Sequence, residues 1–322
     1  MRDAYDRKID YMRVSITDRC NLRCIYCTPG DMHFVSHDEV LRNEEFIRIC
    51  KIASELGIKH IRITGGEPLA RPGAIDLLRE IKKLPLVEHL ALTTNGVLLE
   101  RHINELSDIG ISAINISLDT LDRETYLAIT RHDLFDQVWR GVEATLDAGI
   151  QVKLNCVPLP GLNDDDILKI AGLAEKWPID IRFIEAMPIG QGEQFKAIDN
   201  NAILDKLFDI YPGIHISDQK RGFGPARYYT GGALKGSIGF ISPLSNCFCE
   251  QCNRIRLTSM GLLKLCLYYS DGVDLKSLLR GGASDGTIKK AIGDIILHKP
   301  EKHEFKSAGK PNEQKKMWQI GG

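Results

Sequence analysis

The chain has 322 residues, with 42 Lys and Arg against 43 Asp and Glu, a formal net charge of -1, and 43% hydrophobic residues; this is enough for a sizeable core in one large or two modest domains. The balanced charge excludes nucleic-acid binding through bulk basicity, so an anionic ligand must be met by locally placed arginines and lysines. The opening segment MRDAYDRKIDYMR has no apolar signal core, and no long apolar run follows, so the sequence points to a cytoplasmic protein with neither export nor membrane spanning.

In chain order, short apolar strands are expected at residues 12–17, 60–64, 89–93, 113–118, 152–157 and 181–184, each followed by a polar or glycine-rich turn. Amphipathic helices lie between them, including one over 43–56. Gly57, Gly110 and Gly149 stand where a C-terminal cap with positive φ would end a helix. Strands alternating with helices imply an α/β fold with a parallel sheet and right-handed crossovers. Six such units are too few to close an eight-stranded barrel, so a partial (βα)6 TIM-type barrel is expected over residues 1–221. Residues 222–322 read as a small second domain, with a short strand at 238–242. The unusual motifs follow consecutive strands, namely the first cysteine set, Thr64-Gly65-Gly66-Glu67-Pro68, Thr93-Thr94-Asn95-Gly96 and Ser117-Leu118-Asp119. In a parallel barrel these positions share the face that carries the chemistry.

Nine cysteines in such a protein are reduced thiols, available as metal ligands. Cys50 and Cys156 read as small buried hydrophobes. Six others form two sets, Cys20-x3-Cys24-x2-Cys27 and Cys249-x2-Cys252-x13-Cys266. Each set is one ligand short of a closed tetrahedral zinc site or of a four-iron cubane, which leaves one corner open to a ligand that is not protein. A zinc finger from Cys24, Cys27, His33 and His37 is disfavoured, because five residues separate its pairs where about twelve are usual. At the second set, a zinc knuckle with Cys247 as fourth ligand stays open.

The first cysteine set together with Gly65-Gly66-Glu67-Pro68 resembles the radical S-adenosylmethionine superfamily. The resemblance implies a [4Fe-4S] cluster on Cys20, Cys24 and Cys27, whose open iron is chelated by S-adenosylmethionine, and reductive cleavage of that cofactor to a 5'-deoxyadenosyl radical. It implies cofactor contacts from Tyr26, Gly65, Gly66, Glu67, Thr93, Asn95, Ser117 and Met187, with the methionyl amino group held by Gly65, Gly66 and Glu67. Adjacent glycines let backbone approach a ligand closely.

The second set lies in FCEQCNRIRLTSMGLLKLCL. With YMRVSITDRCNLRCIYC, IRITGGEPL, NISLDTL, RFIEAMPIG, GPARYY and a Gly321-Gly322 end, it resembles the GTP 3',8-cyclase family of molybdenum cofactor biosynthesis over essentially the whole chain. That resemblance implies a second [4Fe-4S] cluster on Cys249, Cys252 and Cys266, with its open iron toward the guanine of GTP. Hydrogen abstraction from the ribose C3', attack of the carbon radical on guanine C8, and reduction and protonation of the aminyl-type intermediate would give the 3',8-cyclised nucleotide without a side-chain nucleophile. An external electron donor, a homodimer and a cyclic pyranopterin monophosphate synthase that accepts the product are implied as well.

A triphosphate needs cations, and the candidates are Arg13, Arg62, Lys153, Arg182, Arg254 and Arg256. Four of them lie inside apolar strand segments, where an unpaired charge is costly, and Arg254 and Arg256 point to one face of an extended segment. The chain departs from the family at His60, where relatives commonly carry a phosphate-binding lysine. Residues 298–316 are too polar to fold alone, but the resemblance implies that the tail inserts toward the active site and that Gly321 and Gly322 are needed for turnover. A sulfur-carrier tail would require a compact domain upstream that the sequence does not show. Two other readings are a radical S-adenosylmethionine peptide maturase with an auxiliary cluster and a zinc-stabilised binding module without catalysis.

Overall fold

In the segments YMRVS and HIRIT, apolar and polar residues alternate, so each strand has one apolar and one polar face. The computed structural model, which describes residues 1–28, 34–305, 313 and 315–321, builds these segments into one sheet. Its strands are β1 (Tyr11–Ser15), β2 (His60–Thr64), β3 (His89–Thr94), β4 (Ala113–Ser117), β5 (Val152–Cys156), β6 (Asp180–Ile184), β7 (His215–Ile216), β8 (Arg227–Thr230), β9 (Ser237–Ile241), β10 (Arg254–Leu257), β11 (Leu262–Lys264) and β12 (Gly272–Asp274). The order is β12-β11-β10-β1-β2-β3-β4-β5-β6-β9-β8-β7.

The six expected strands form within one or two residues of the positions read from the sequence, and they pair in parallel from β1 to β6. The parallel run is longer than six. β9 joins β6 and β10 joins β1, both in parallel, so residues beyond 222 add a strand at each edge. Among the described residues the two ends of the sheet do not pair with each other, and the barrel is therefore partial.

Helices α1 (Asn43–Glu55), α2 (Ala74–Lys82), α3 (Leu99–Ile109), α4 (Arg123–Thr130) and α5 (Phe135–Asp147) fill the first crossovers. The chain leaves α3 at Gly110 and follows α1 and α5 with Gly57 and Gly149, all with φ between 69° and 99°, as their sequence positions require. Met12, Val14, Ile61, Ile63, Leu90, Leu92, Ile114, Ile116, Leu154 and Ile181 are buried from one strand face into a core shared with Phe46, Ile49, Leu77, Ile103 and Val142 of the helices. The alternate residues form polar rows. Arg256, Arg13 and Arg62 are register partners on β10, β1 and β2, and Thr93, Asn115, Lys153, Asp180 and Ser237 run across β3 to β9. Cys50 and Cys156 are buried, in keeping with a packing role. Among the described residues no helix is long and apolar enough to cross a membrane.

Candidate active site

Between β1 and α1 the chain turns through Cys20, Cys24 and Cys27, with the Cys27 and Thr28 amides both donating to the Cys24 carbonyl at 3.0 and 2.9 Å. The segment after β2 lies against this loop, because the Gly66 and Glu67 amides donate to the Thr17 and Arg19 carbonyls at 2.8 and 2.7 Å. A Cβ at Gly65 would stand 2.7 Å from the Thr17 carbonyl oxygen, and one at Gly66 would overlap the Arg19 carbonyl. The backbone of the cysteine loop therefore already requires both glycines, whatever ligand approaches them. Glu67 is fully buried away from the cavity wall, and its carboxylate accepts from Leu69 N, Thr94 Oγ1 and Asn95 N. Burial pushes its pKa up to about 7 against those donors.

All six cysteines of the two sets line one cavity of about 330 Å³, together with Arg13, Tyr26, Arg62, Gly65, Gly66, Thr93, Asn95, Ser117, Arg182, Met187, Arg254 and Arg256. Tyr26 donates its hydroxyl to Asp119 at 2.7 Å, and the other Asp119 oxygen accepts from Val157 N. Asn95 Nδ2 lies 3.7 Å from Cys20 Sγ and 2.7 Å from Asn21 Oδ1. In the first set burial pushes Cys20 up to about 11, with Glu67 adding to the effect, and pushes Cys27 up to about 12, with Cys20 adding to it. Such thiols stay protonated until a metal centre supplies positive charge, when metal binding releases their protons.

The second set sits under the opposite electrostatics. Cys249 begins a short turn closed by Cys252 N donating to its carbonyl at 3.1 Å, and Cys266 follows β11. Burial alone would raise Cys252, but Arg254, Lys299 and Arg256 pull it down to about 6. Buried Arg7 clamps this region, donating to the Cys249 carbonyl at 2.9 Å and to Pro300 and Glu301 at 2.7 Å each, while Lys299 Nζ donates to the Arg254 carbonyl at 2.8 Å.

Sulfur spacing distinguishes a cluster from a single ion. Tetrahedral zinc with thiolates at about 2.3 Å holds its sulfurs about 3.8 Å apart. Among the described residues, the one group of three cysteine, histidine or carboxylate ligand atoms within 4.8 Å of one another is Cys247, Cys249 and His303, so neither three-cysteine set closes to that size. Three cysteine sulfurs in each set, all lining one cavity, are a donor set that a four-iron cluster with one open corner would accept. Cys247 is exposed, and its sulfur is 3.6 Å from His303 Nε2.

Of the cations read from the sequence, Lys153 is the one outside this cavity. It lines a smaller recess of about 60 Å³ whose walls also include Arg13, Arg62, Arg182, Arg221 and Arg254. Its Nζ pairs with Asp180 at 2.6 Å. Burial, followed by the neighbouring Arg256 and Arg254 charges respectively, lowers the pKa of Arg13 and of Arg256, the latter to about 10. His60 lines neither space and stacks on Phe223, ring centroids 3.5 Å apart. The tail enters the site. Met317 and Trp318 line the cavity, and the Gly321 carbonyl accepts from Arg256 at 3.4 Å. A Cβ on Gly321 would lie 2.8 Å from Ser15 Cβ, and its φ is 72°. Gly322 and His33 lie outside the described residues. Arg7, Arg221 and Lys299 escaped the sequence reading, and Asp119 entered it only as the last residue of the Ser117-Leu118-Asp119 motif, with no role assigned. Only Asp119 had a usable signal, its place at the end of a strand motif.

A family model described as the radical SAM superfamily matches residues 14–174, and one described as Molybdenum Cofactor Synthesis C matches residues 179–305. The chain is similar to a protein named GTP 3',8-cyclase from Clostridium perfringens (strain SM101 / Type A), 44% identical with 100% of each chain covered. It is also similar to one of the same name from Heliobacterium modesticaldum, 45% identical with 100% of each chain covered. Among solved structures it resembles Streptococcus suis SuiB bound to S-adenosylmethionine, with a TM-score of 0.64, 14% identity, and coverage of 91% of this chain and 72% of that one. At that identity the likeness concerns the fold.

Proposed function

Because the chain belongs to the radical SAM superfamily and, within it, to the GTP 3',8-cyclase family, we infer that it converts GTP to (8S)-3',8-cyclo-7,8-dihydroguanosine 5'-triphosphate, the first step of molybdenum cofactor biosynthesis. The observation that carries this reading is the single cavity walled by two three-cysteine sets and a row of buried arginines. A [4Fe-4S] cluster bound here would supply the electron for reductive cleavage of S-adenosylmethionine, and the radical chemistry that follows would join ribose C3' to guanine C8, with one further electron and a proton completing the product.

The chain's own part is binding, orientation and exclusion of water. Cys20, Cys24 and Cys27 would hold the first cluster, and Cys249, Cys252 and Cys266 would hold a second that binds the guanine. Gly65, Gly66, Thr93, Asn95, Ser117, Tyr26 and Met187 surround S-adenosylmethionine, while Glu67 positions the loops after β2 and β3 rather than touching the cofactor. Asp119 fixes the Tyr26 ring through its hydroxyl. Arg13, Arg62, Arg182, Arg254 and Arg256 carry the triphosphate, with Lys153 in the adjoining recess; clustering cations in a low-dielectric wall is unfavourable until an anion occupies it. Met317 and Trp318 cover the cavity from the tail, the Gly321 carbonyl accepts from Arg256, and we assign Gly321 and Gly322 a part in turnover.

In functional terms we divide the chain at 221/222, with the S-adenosylmethionine half before and the second-cluster half after. We assign it to the cytoplasm as a homodimer that draws on an external reductant and passes product to a cyclic pyranopterin monophosphate synthase. Light scattering that returns a monomer would overturn the dimer. The test of the function is anaerobic reconstitution with iron and sulfide to about eight iron atoms per chain, followed by GTP, reductant and S-adenosylmethionine. Release of 5'-deoxyadenosine with a cyclised GTP of unchanged mass is the expected outcome. Zinc in place of iron, with no visible charge-transfer absorption, would sink it.

A further inference from the structure

The recess beside the main cavity is roofed by residues 221–226, Arg-Gly-Phe-Gly-Pro-Ala, a segment given no role above beyond the presence of Arg221. The first half of the roof is fixed at two points. At its start Arg221 Nη1 pairs with Asp180 at 2.9 Å, and the Arg221 carbonyl accepts from Lys153 Nζ at 2.7 Å. Two residues on, Phe223 stacks on His60 with rings 13° from parallel and lies 4.6 Å from the His89 ring, while its carbonyl accepts from Asn253 Nδ2 at 3.4 Å.

The charge of the recess is one-sided. Arg13, Arg62, Lys153, Arg182, Arg221 and Arg254 face it, and the carboxylate behind them, Asp180, is already shared by Lys153, Arg221 and Ser237. The buried Nε atoms of Arg62, Arg182 and Arg221 have no hydrogen-bond partner among the described residues. Buried N–H donors without acceptors on three arginines of a recess that shares Arg13, Arg62, Arg182 and Arg254 with the wall of the main cavity suit the phosphate oxygens of a polyphosphate chain.

We propose that Arg221 is a further substrate-positioning residue, carried over the phosphate end of GTP by the roof that Phe223 pins to His60, and that it favours nucleoside triphosphates over monophosphates. The proposal rests on the GTP reading above. On this reading the effect of Arg221 grows with phosphate number. Phe223 acts at one remove, by holding the roof in place.

The test is anaerobic binding of GTP, GDP and GMP to the reconstituted full chain, comparing wild type with Arg221→Gln, Arg221→Lys and Phe223→Leu. Loss of one charge-assisted contact predicts an increase in the Kd for GTP of about tenfold or more in Arg221→Gln, with the Kd for GMP changing less than about threefold. Arg221→Lys recovers part of the preference, and Phe223→Leu loses it without loss of iron. Equal weakening of GTP and GMP, or iron loss in Arg221→Gln, would mark Arg221 as structural and overturn the proposal. So would an unchanged GTP-to-GMP ratio. A wild type that binds no GTP at all would instead refute the underlying reading, so the two failures are distinguishable.

Discussion

At the residue scale, the two cysteine sets differ in what surrounds them, and this predicts different losses. Burial raises the pKa of Cys24, with Cys27, Asp119 and Cys20 adding to the effect, so its thiolate needs a metal centre for stabilisation. Cys24→Ala is expected to lose the first cluster and all S-adenosylmethionine cleavage. Cys252 sits under Arg254 and Lys299, and Cys252→Ala is expected to keep uncoupled 5'-deoxyadenosine formation while giving no cyclised nucleotide. Normal product from either variant, measured by chromatography, contradicts the ligand assignment. Cys247 is the critical control. It lies close to Cys249 and His303 in a group sized for one ion, so Cys247→Ser is expected to leave iron content and product unchanged if Cys249 serves the cluster. A halved iron content would make Cys247 a fourth ligand.

At the scale of single elements, the tail and the start of β2 give two further tests. Glu313 of the tail forms an ion pair with Lys264 of β11, both side chains being almost wholly buried. Removing one partner of such a pair leaves the other charge stranded at a cost of about 3–5 kcal/mol, which the tail can avoid only by leaving its seat. Lys264→Met is therefore expected to retain iron and lower cyclised product by on the order of 100-fold. Full activity would show that the tail does not need this anchor. His60 has its pKa lowered, first by burial, with His89 and Lys8 acting the same way against Asp10 and Glu88. The unfolded chain then binds the extra proton more readily, so this contribution to stability is present above the ordinary value of 6.5 and lost as pH falls through the lowered folded value. Thermal unfolding at about pH 7.5 and about pH 5.5 should show a smaller acid loss in His60→Phe than in wild type. The sequence made these elements legible where period and punctuation agree. HIRIT alternates and Gly110 caps α3, so β2 and the end of α3 needed no tertiary information. The Lys264–Glu313 pair and the Arg7 clamp join residues far apart in the chain, with no local pattern to reveal them.

At the scale of the whole molecule, the cysteine motifs and strand-borne arginines pointed to one cavity because a parallel sheet brings strand ends together. The strands added at the two edges were harder to read. β9 was visible as a short apolar segment, but nothing in its own sequence says that it continues the parallel run beside β6, and RIRL gives no hint that it lies beside β1. The shared sheet predicts that residues 1–221 expressed alone, with the outer edges of β1 and β6 bare, will aggregate or melt without cooperativity. A sharp, reversible melt of that fragment would refute this. The pairing of β1 with β10 also sets a timetable. Asp10 and Asn253, which bridge the two strands, are 243 residues apart. At about 5–20 residues per second, a ribosome leaves the open side of β1 without its neighbour for roughly 10–50 s after that strand emerges. Throughout that interval the newly made Cys20, Cys24 and Cys27 loop is accessible to oxidants and stray ions, so the nascent chain should depend on a chaperone or on prompt iron delivery during translation.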